Sequence, residues 1–376
     1  MVVISVKDRH KEKRDRIDRS CIVVYKPEKC YNGYTLFSNY RGNLFYLMGM
    51  NGEIIHTWFV KTAKIGELRP NGNLLYANMW QGMAEVDWYS RELWYYPCTQ
   101  HHDFCLMSNG HIMILCSKRE VSNPQIYRNG AFISAYFIEV DVKAKEIFWQ
   151  WNADEHIKEL EKAGVKFPRP IPDVYHSNTC EVLPETRLGR RDSRFKAGNV
   201  VFCHRNLDVV GVIDKESGDI VWTWGVGELD YPHMPTLIPD NHPITGESMP
   251  GAGHFLIFDN GFHRGYSRVL EVDPLMDEIV WKYVAPNPTD FFGQQLAGQD
   301  RMPNGNTVIC EGGYDLGGRL FEVTPDGEMV WEYLTPYFGN MTHVGINHSI
   351  YRCVRYPPQY VDSILKVHLK TETLLR

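Results

Sequence analysis

Along much of the chain, apolar and polar positions alternate with the period of two that marks half-buried β-strands. One phrase recurs through it. Asn51–Trp58 reads NGEIIHTW, Ser90–Tyr96 SRELWYY, Ala144–Trp151 AKEIFWQW, Ser217–Trp224 SGDIVWTW, Met276–Tyr283 MDEIVWKY and Asp326–Tyr333 DGEMVWEY. Each is a turn, an acidic residue, an apolar residue and then alternating aromatics. Most copies follow a strand that ends in a polar turn, such as Phe137–Asp141, Arg268–Asp273 or Arg319–Thr324, so each pair makes a hairpin. A second hairpin precedes most of them, built on Asn-Gly at Asn71-Gly72, Asn109-Gly110 and Asn304-Gly305; Asn-Gly between apolar runs is a strong hairpin signal. Two hairpins give four antiparallel strands per repeat, and six repeats predict an all-β, six-bladed β-propeller.

The ends of the chain complete the count. Asn347–Arg355 supplies inner strands with no aromatic phrase after them, whereas Gly33–Phe37, Asn43–Leu47 and the first aromatic phrase have no inner strands before them. Pairing C-terminal inner strands with N-terminal outer strands closes the ring and removes its free edges. The expected organisation is a charged N-terminal segment, 1–20, followed by one propeller domain, 21–376. Two insertions interrupt it. The first, 152–175, contains a short helix at Asp154–Ala163, capped by Asn152 or Asp154 and stopped by Gly164, on the face where inner strands enter the channel. The second, a basic loop around 185–198, lies in an inner hairpin on the opposite face and reads as a solvated surface.

Composition narrows the function classes. Of 376 residues, 40 are basic and 46 acidic, a net charge of −6, which speaks against nucleic-acid binding. No apolar run approaches the ~20 residues of a membrane span, and the start has its charges after its apolar cluster, the reverse of an export signal. The nine cysteines are dispersed without a Cys-x-x-Cys pair, as in a reduced cytoplasmic protein. Eight of the ten tryptophans fall inside the six aromatic phrases. They are expected to pack between blades and not to form a ligand-stacking platform.

Chemistry is expected at the axis, where residues opening the innermost strands converge. Those residues are Glu67, His101-His102-Asp103, His176-Ser177-Asn178, His233, Gln299-Asp300, and His343 or His348. His102, His176 and His233 are each about one blade apart, so they should face the axis from neighbouring blades. Arg205 ends the strand after the one His176 opens and can also reach the channel mouth. Several histidines with an arginine and an amide around a concave site suit an oxyanion such as sulfate or phosphate. Neither a Walker A loop nor another glycine-rich phosphate loop is present.

The aromatic repeats, the His-His-Asp before an Asn-Gly hairpin, the His-x-Asn, Arg205 one strand later, His233 in the next blade, and Asn347–Arg352 with Arg355-Tyr-Pro together resemble the arylsulfate sulfotransferase (ASST) family. These are six-bladed propeller enzymes that move a sulfuryl group between phenols without a nucleotide donor. The resemblance covers most of the chain from about residue 30. It implies that His233 is the nucleophile that forms a sulfohistidine, and that His102, His176, Asn178 and Arg205 hold the sulfuryl oxygens. One histidine would transfer the phenol proton; His101, Asp103, Gln299 and His348 would complete the substrate-binding set. The partner would be a small aromatic substrate, a phenol or aryl sulfate, with no cofactor. The residues leave two alternatives. His102, His176 and His233 could ligate a divalent transition metal in a lyase, hydrolase or oxygenase acting on an aromatic compound, or the propeller could be a non-enzymatic interaction module.

Overall fold

In the computed structural model the described residues are 21–374, apart from 121, 314–317, 337–338, 342–344 and 348. The N-terminal segment 1–20 and both candidate histidines of the last inner hairpin, His343 and His348, lie outside them. The strands form six four-stranded antiparallel blades, one of which carries a fifth strand, together with one small hairpin. Blade 1 joins Ile350–Tyr356 to Tyr34–Asn39, Leu44–Met48 and Ile54–Phe59; blade 2 runs from Gly66–Leu68 to Glu92–Pro97. Blade 3 runs from Gln100–Leu106 to Ile147–Asn152, and blade 4 from Ser177–Val182 to Ile220–Trp224. Blade 5 runs from Pro232–Leu237 to Glu278–Tyr283, and blade 6 from Ala297–Arg301 to Met329–Leu334.

Closure follows the expected principle with two refinements. The C-terminal part gives blade 1 only its innermost strand, with Tyr356 opposite Tyr34 and Cys353 opposite Phe37. In addition, Ile22–Tyr25 pairs with the outer strand of blade 6, placing Ile22 opposite Tyr333 and Tyr25 opposite Trp331. The N-terminal part of the described chain therefore spans the seam between blades 6 and 1, and no single hairpin carries the closure.

The aromatic phrases explain how blades hold one another. From blade 2 to blade 6, each outer strand aims an indole N–H at an acceptor in a turn of the next blade. Trp94 donates to Val142 O at 3.0 Å, Trp151 to Gly218 O at 2.8 Å, Trp281 to Pro325 O at 2.7 Å and Trp331 to Met50 O at 2.9 Å. Trp222 and Trp224 both reach Asp277, on its carboxylate and its carbonyl. From blade 1 to blade 2, His56 Nε2 takes this part with Trp88 O at 3.0 Å, its ring stacked on Trp88 at 3.6 Å. Apolar side chains fill the space inside these stitches, for example Phe137, Trp151, Val200 and Phe202 between blades 3 and 4, and Trp222, Leu237 and Phe255 between blades 4 and 5.

The insertion after blade 3 has a 3₁₀ turn at Ala153–Glu155 and a helix at Ile157–Lys162, shorter than expected. Neither expected cap forms, because Asp154 accepts from Ser134 Oγ at 2.5 Å; Gly164 does take the left-handed conformation, φ 96°. Beyond blade 1 an additional helix, Pro358–Leu374, starts with proline at a position that needs no N–H. It buries Val361 and Ile364 against Trp58, Tyr76 and Trp88. All nine cysteines are free thiols. Among the described residues no helix is long and apolar enough to cross a membrane.

Candidate active site

The inner strands of blades 3, 4 and 5 do not pair evenly with their neighbours. Register slips between Ile114 and Cys116, between Ser177 and Thr179, and between His233 and Thr236. At these places the backbone turns left-handed at His102 (φ 67°), His176 (φ 42°), Tyr231 (φ 59°) and Met234 (φ 49°). A bulge re-aims side chains that a regular strand would send into a blade face. Left-handed non-glycine residues are costly, and their recurrence where three successive strands open singles this place out as the candidate site.

These bends gather the histidines. His101 and His102 rings lie 4.0 Å apart edge to face, His102 and His176 4.8 Å apart, and His101 and His176 5.5 Å apart. His233, fully buried, shares their field: its charged form is felt by His102, and that of His176 by His233. The Arg205 guanidinium lies over the Tyr231 ring at 4.3 Å and acts electrostatically on both His233 and His176. Its Nε is buried without a hydrogen-bond partner.

Hydrogen bonds sort the rings into two kinds. Asn260 Nδ2 donates to Gly293 O, which turns Oδ1 toward His233 Nδ1 at 2.7 Å. His233 therefore carries its proton on Nδ1 and a lone pair on Nε2, an atom that is buried and has no protein partner. His176 likewise gives its Nδ1–H to the Asp173 carboxylate, leaving the lone pair on Nε2. His102 differs: its Nδ1 lies 2.7 Å from the Tyr351 hydroxyl, a group that can donate or accept, so this bond fixes no tautomer. The cluster thus presents two fixed Nε2 lone pairs, on His233 and His176.

Burial, above all, pushes His101, His102 and His233 well below the ordinary imidazole range, with Arg205 adding to the effect on His233 and Lys64 to that on His102. For His176, burial outweighs the opposing pull of Asp173. The rings are neutral near pH 7. The side chain of His176 is 23% exposed, making it the open edge of the cluster. Beside it, Trp80 is 48% exposed with its ring 4.8 Å from His101.

Of the residues expected at the site, His101, His102, His176, His233 and Arg205 come together. The amide of Asn178 is engaged: Nδ2 donates to Pro232 O at 2.9 Å and Oδ1 accepts from Thr179, so it ties blade 4 to blade 5 instead of facing an oxyanion. Asp103 accepts from Phe104 N and Cys180 N and pairs with Arg352 at 2.9 Å, a strut across the axis. Gln299 gives its amide to Met234 O and Leu256 O, joining blade 6 to blade 5. Burial raises the carboxyls of Glu67 and Asp300, the latter to about 7. The basic loop is largely paired with carboxylates, Arg194 with Asp192 inside it, and Arg187 with Asp240 and Lys196 with Asp214 beyond it.

Sequence reasoning missed Asp173, Asn260, Tyr351, Lys64 and Trp80. Asp173 had a local signal, a carboxylate three residues before His176 in an insertion expected at this face. The others come from blades 1, 2 and 5, and no local pattern announces them.

Among the described residues, no three His, Cys, Asp or Glu side chains gather as a metal-ligand set, including the expected trio His102, His176 and His233. Fold and side-chain geometry together define a propeller with a buried cluster of histidines as its candidate site. Residues 71–335 match the family described as Arylsulfotransferase (ASST), more than half of the chain, and the chain belongs to that family. This membership points to transferase chemistry on aryl compounds. No curated protein matches the chain. A protein of unknown function from Bacteroides caccae superposes with a TM-score of 0.52 at 14% identity, over 85% of this chain and 98% of the other. A streptogramin B lyase gives 0.46 at 12%, over 91% and 95%. Apo AztD from Citrobacter koseri gives 0.44 at 7%, over 87% and 99%. The first likeness bears on the fold alone, and the other two carry no argument.

Proposed function

We propose that the protein transfers a sulfuryl group from an aryl sulfate to a phenol through a sulfohistidine at His233. The observation that carries the reading is the tautomer of that ring: Asn260 fixes the proton on Nδ1, and the buried Nε2 has a free lone pair. A neutral imidazole held in this way is a competent nucleophile near neutral pH.

In the first half-reaction His233 Nε2 bonds to sulfur as the S–O bond to the donor aryl group breaks. The positive charge arising on the ring is met by Asn260 Oδ1. With the Tyr351 hydroxyl donating to its Nδ1, His102 would offer an Nε2–H and, with Arg205, hold the sulfuryl oxygens, fixed donors that need no reorganisation as charge shifts. The donor leaves as a phenolate and takes its proton from solvent. In the second half-reaction the acceptor phenol gives its proton to His176 Nε2 and attacks sulfur, the N–S bond breaks, and His176 then returns that proton to solvent, which balances the cycle. Asp173 orients His176 and stabilises its charged form. Trp80, outside the six aromatic phrases and exposed beside His101, would stack the aryl ring.

Purified protein incubated with a chromogenic aryl sulfate and a phenol acceptor should release the donor phenol with ping-pong kinetics, and His233→Ala should remove that activity. Turnover that survives the substitution, or no turnover of any aryl sulfate, refutes the reading.

A further inference from the structure

Lys64 lies two residues before the inner strand of blade 2, its carbonyl held by Ser38 Oγ at 2.8 Å. Its side chain runs into the interior. It is 0% exposed, and Nζ has no hydrogen-bond partner. Nζ lies over the Tyr351 ring, 4.8 Å from the centroid, and the Tyr351 hydroxyl is bonded to His102, which ties the amine to the histidine cluster. His101, His102 and His176 all feel the charge of Lys64.

No carboxylate is assigned to this amine. Asp103, the acid that acts on it, is already saturated by Arg352 and two backbone N–H groups. Arg352 and Arg41 add positive charge nearby, and together with burial they push the Lys64 amine well below the ordinary lysine range. A cavity of about 10 Å³ between blades 1 and 2, bordered by Lys64, Gly66 and Arg352, can hold no more than a single water. Buried polar groups are normally satisfied by the protein, and a buried amine without an acceptor is among the most costly arrangements a fold can carry. A contact with a π face offsets little of that.

We propose that Lys64 is a further anion-contacting residue of the axial pocket, its Nζ donating to an oxygen of the oxyanion bound against His101, His102 and His176. The proposal rests on reading the pocket as an oxyanion site. The arriving anion supplies the negative charge that the protein does not provide, and the amine gains its acceptor only in the bound state. Selectivity follows, because a neutral phenol satisfies Lys64 far less well than a sulfate ester.

The test uses inorganic sulfate as the probe, with binding measured by calorimetry and fold by thermal unfolding. Lys64→Met should weaken sulfate binding about 10- to 100-fold, the effect of removing a charge-assisted hydrogen bond. It should leave the unfolding midpoint without sulfate equal or higher, because an unpaired amine is replaced by an apolar chain of similar length. Lys64→Gln, which keeps a neutral donor, should fall between. Unchanged sulfate affinity in Lys64→Met, loss of the fold in both variants, or a wild-type protein that binds no sulfate overturns the proposal. Lys64-dependent sulfate binding without turnover of aryl sulfates would leave this inference standing and refute the sulfohistidine reaction instead.

Discussion

The rim and the axis of this propeller treat polar groups in opposite ways. At the rim, Trp94, Trp151, Trp222, Trp281 and Trp331 each deliver an N–H to an acceptor one blade away. At the axis, His233 Nε2, Arg205 Nε and Lys64 Nζ are buried with no acceptor or donor of their own, and the backbone beside them is bent into left-handed conformations. The rim keeps the blades together, with Trp58 Nε1 alone among the phrase indoles buried without a partner; in the proposed reading the axial groups are left open for a ligand.

That contrast yields predictions of decreasing size. His233→Ala should lower kcat/KM for an aryl sulfate about 10⁴-fold or more, since the covalent route is lost, with the unfolding midpoint kept. A fall in midpoint with activity retained would make the axis a structural element like the rim. Asp173→Asn should lower kcat about 10²-fold, because the amide no longer fixes and charges the His176 ring. The loss should be largest with poorly acidic acceptor phenols and absent from KM; equal losses across acceptors would deny it a part in proton transfer.

Acid should act on the two regions together. A histidine whose folded pKa lies below its unfolded value binds fewer protons in the native state. Its contribution is therefore complete above about pH 6.5 and is lost as pH falls toward the folded value. Burial takes His204 down to about 3 and His56, at the blade 1 stitch, to about 4. His204 alone should remove on the order of 2 kcal/mol by pH 5, so unfolding midpoints should fall steadily below pH 6.5. The first half-reaction should keep its rate below pH 6 for as long as the fold persists, because His233 stays neutral there. An activity loss centred at 6.5 would contradict that environment.

At the rim, Trp281→Phe removes the bond to Pro325 and should cost about 1 kcal/mol of stability with kcat/KM unchanged. Smallest of all, Trp80→Ala should raise KM for aryl substrates roughly threefold, in keeping with the loss of one aromatic contact, with the midpoint unmoved. A Trp80 variant that loses stability and keeps KM would place this residue with the other tryptophans.

How far the molecule could be read from its residues follows the same division. The blades were legible because the aromatic phrase recurs six times and the Asn-Gly hairpin three, and repetition corrects for any irregular copy. His102, His176 and His233 were legible for a related reason, as residues of one type at equivalent positions of successive repeats. Their partners were not. Asn260 reaches His233 from the loop after the second strand of blade 5, and Tyr351 reaches His102 from the far end of the chain. The first depends on the register of one hairpin and the second on ring closure, neither of which a local pattern reveals. Asn178 illustrates the converse: it lies at the expected place, yet its amide is drawn into an inter-blade bond that the sequence does not reveal. The strand Ile22–Tyr25 and the helix Pro358–Leu374 escaped because they occur once and have no repeat to compare with.

The measurement that bears most directly on the account is a rapid-mixing experiment with an aryl sulfate and no acceptor, followed by peptide mass spectrometry. The account predicts a burst of about one phenol per protein, as expected of an accumulating covalent intermediate, and the mass of one SO₃ group on the peptide containing His233. Steady phenol release without a burst and without label on that peptide, or label on a different residue, would contradict it.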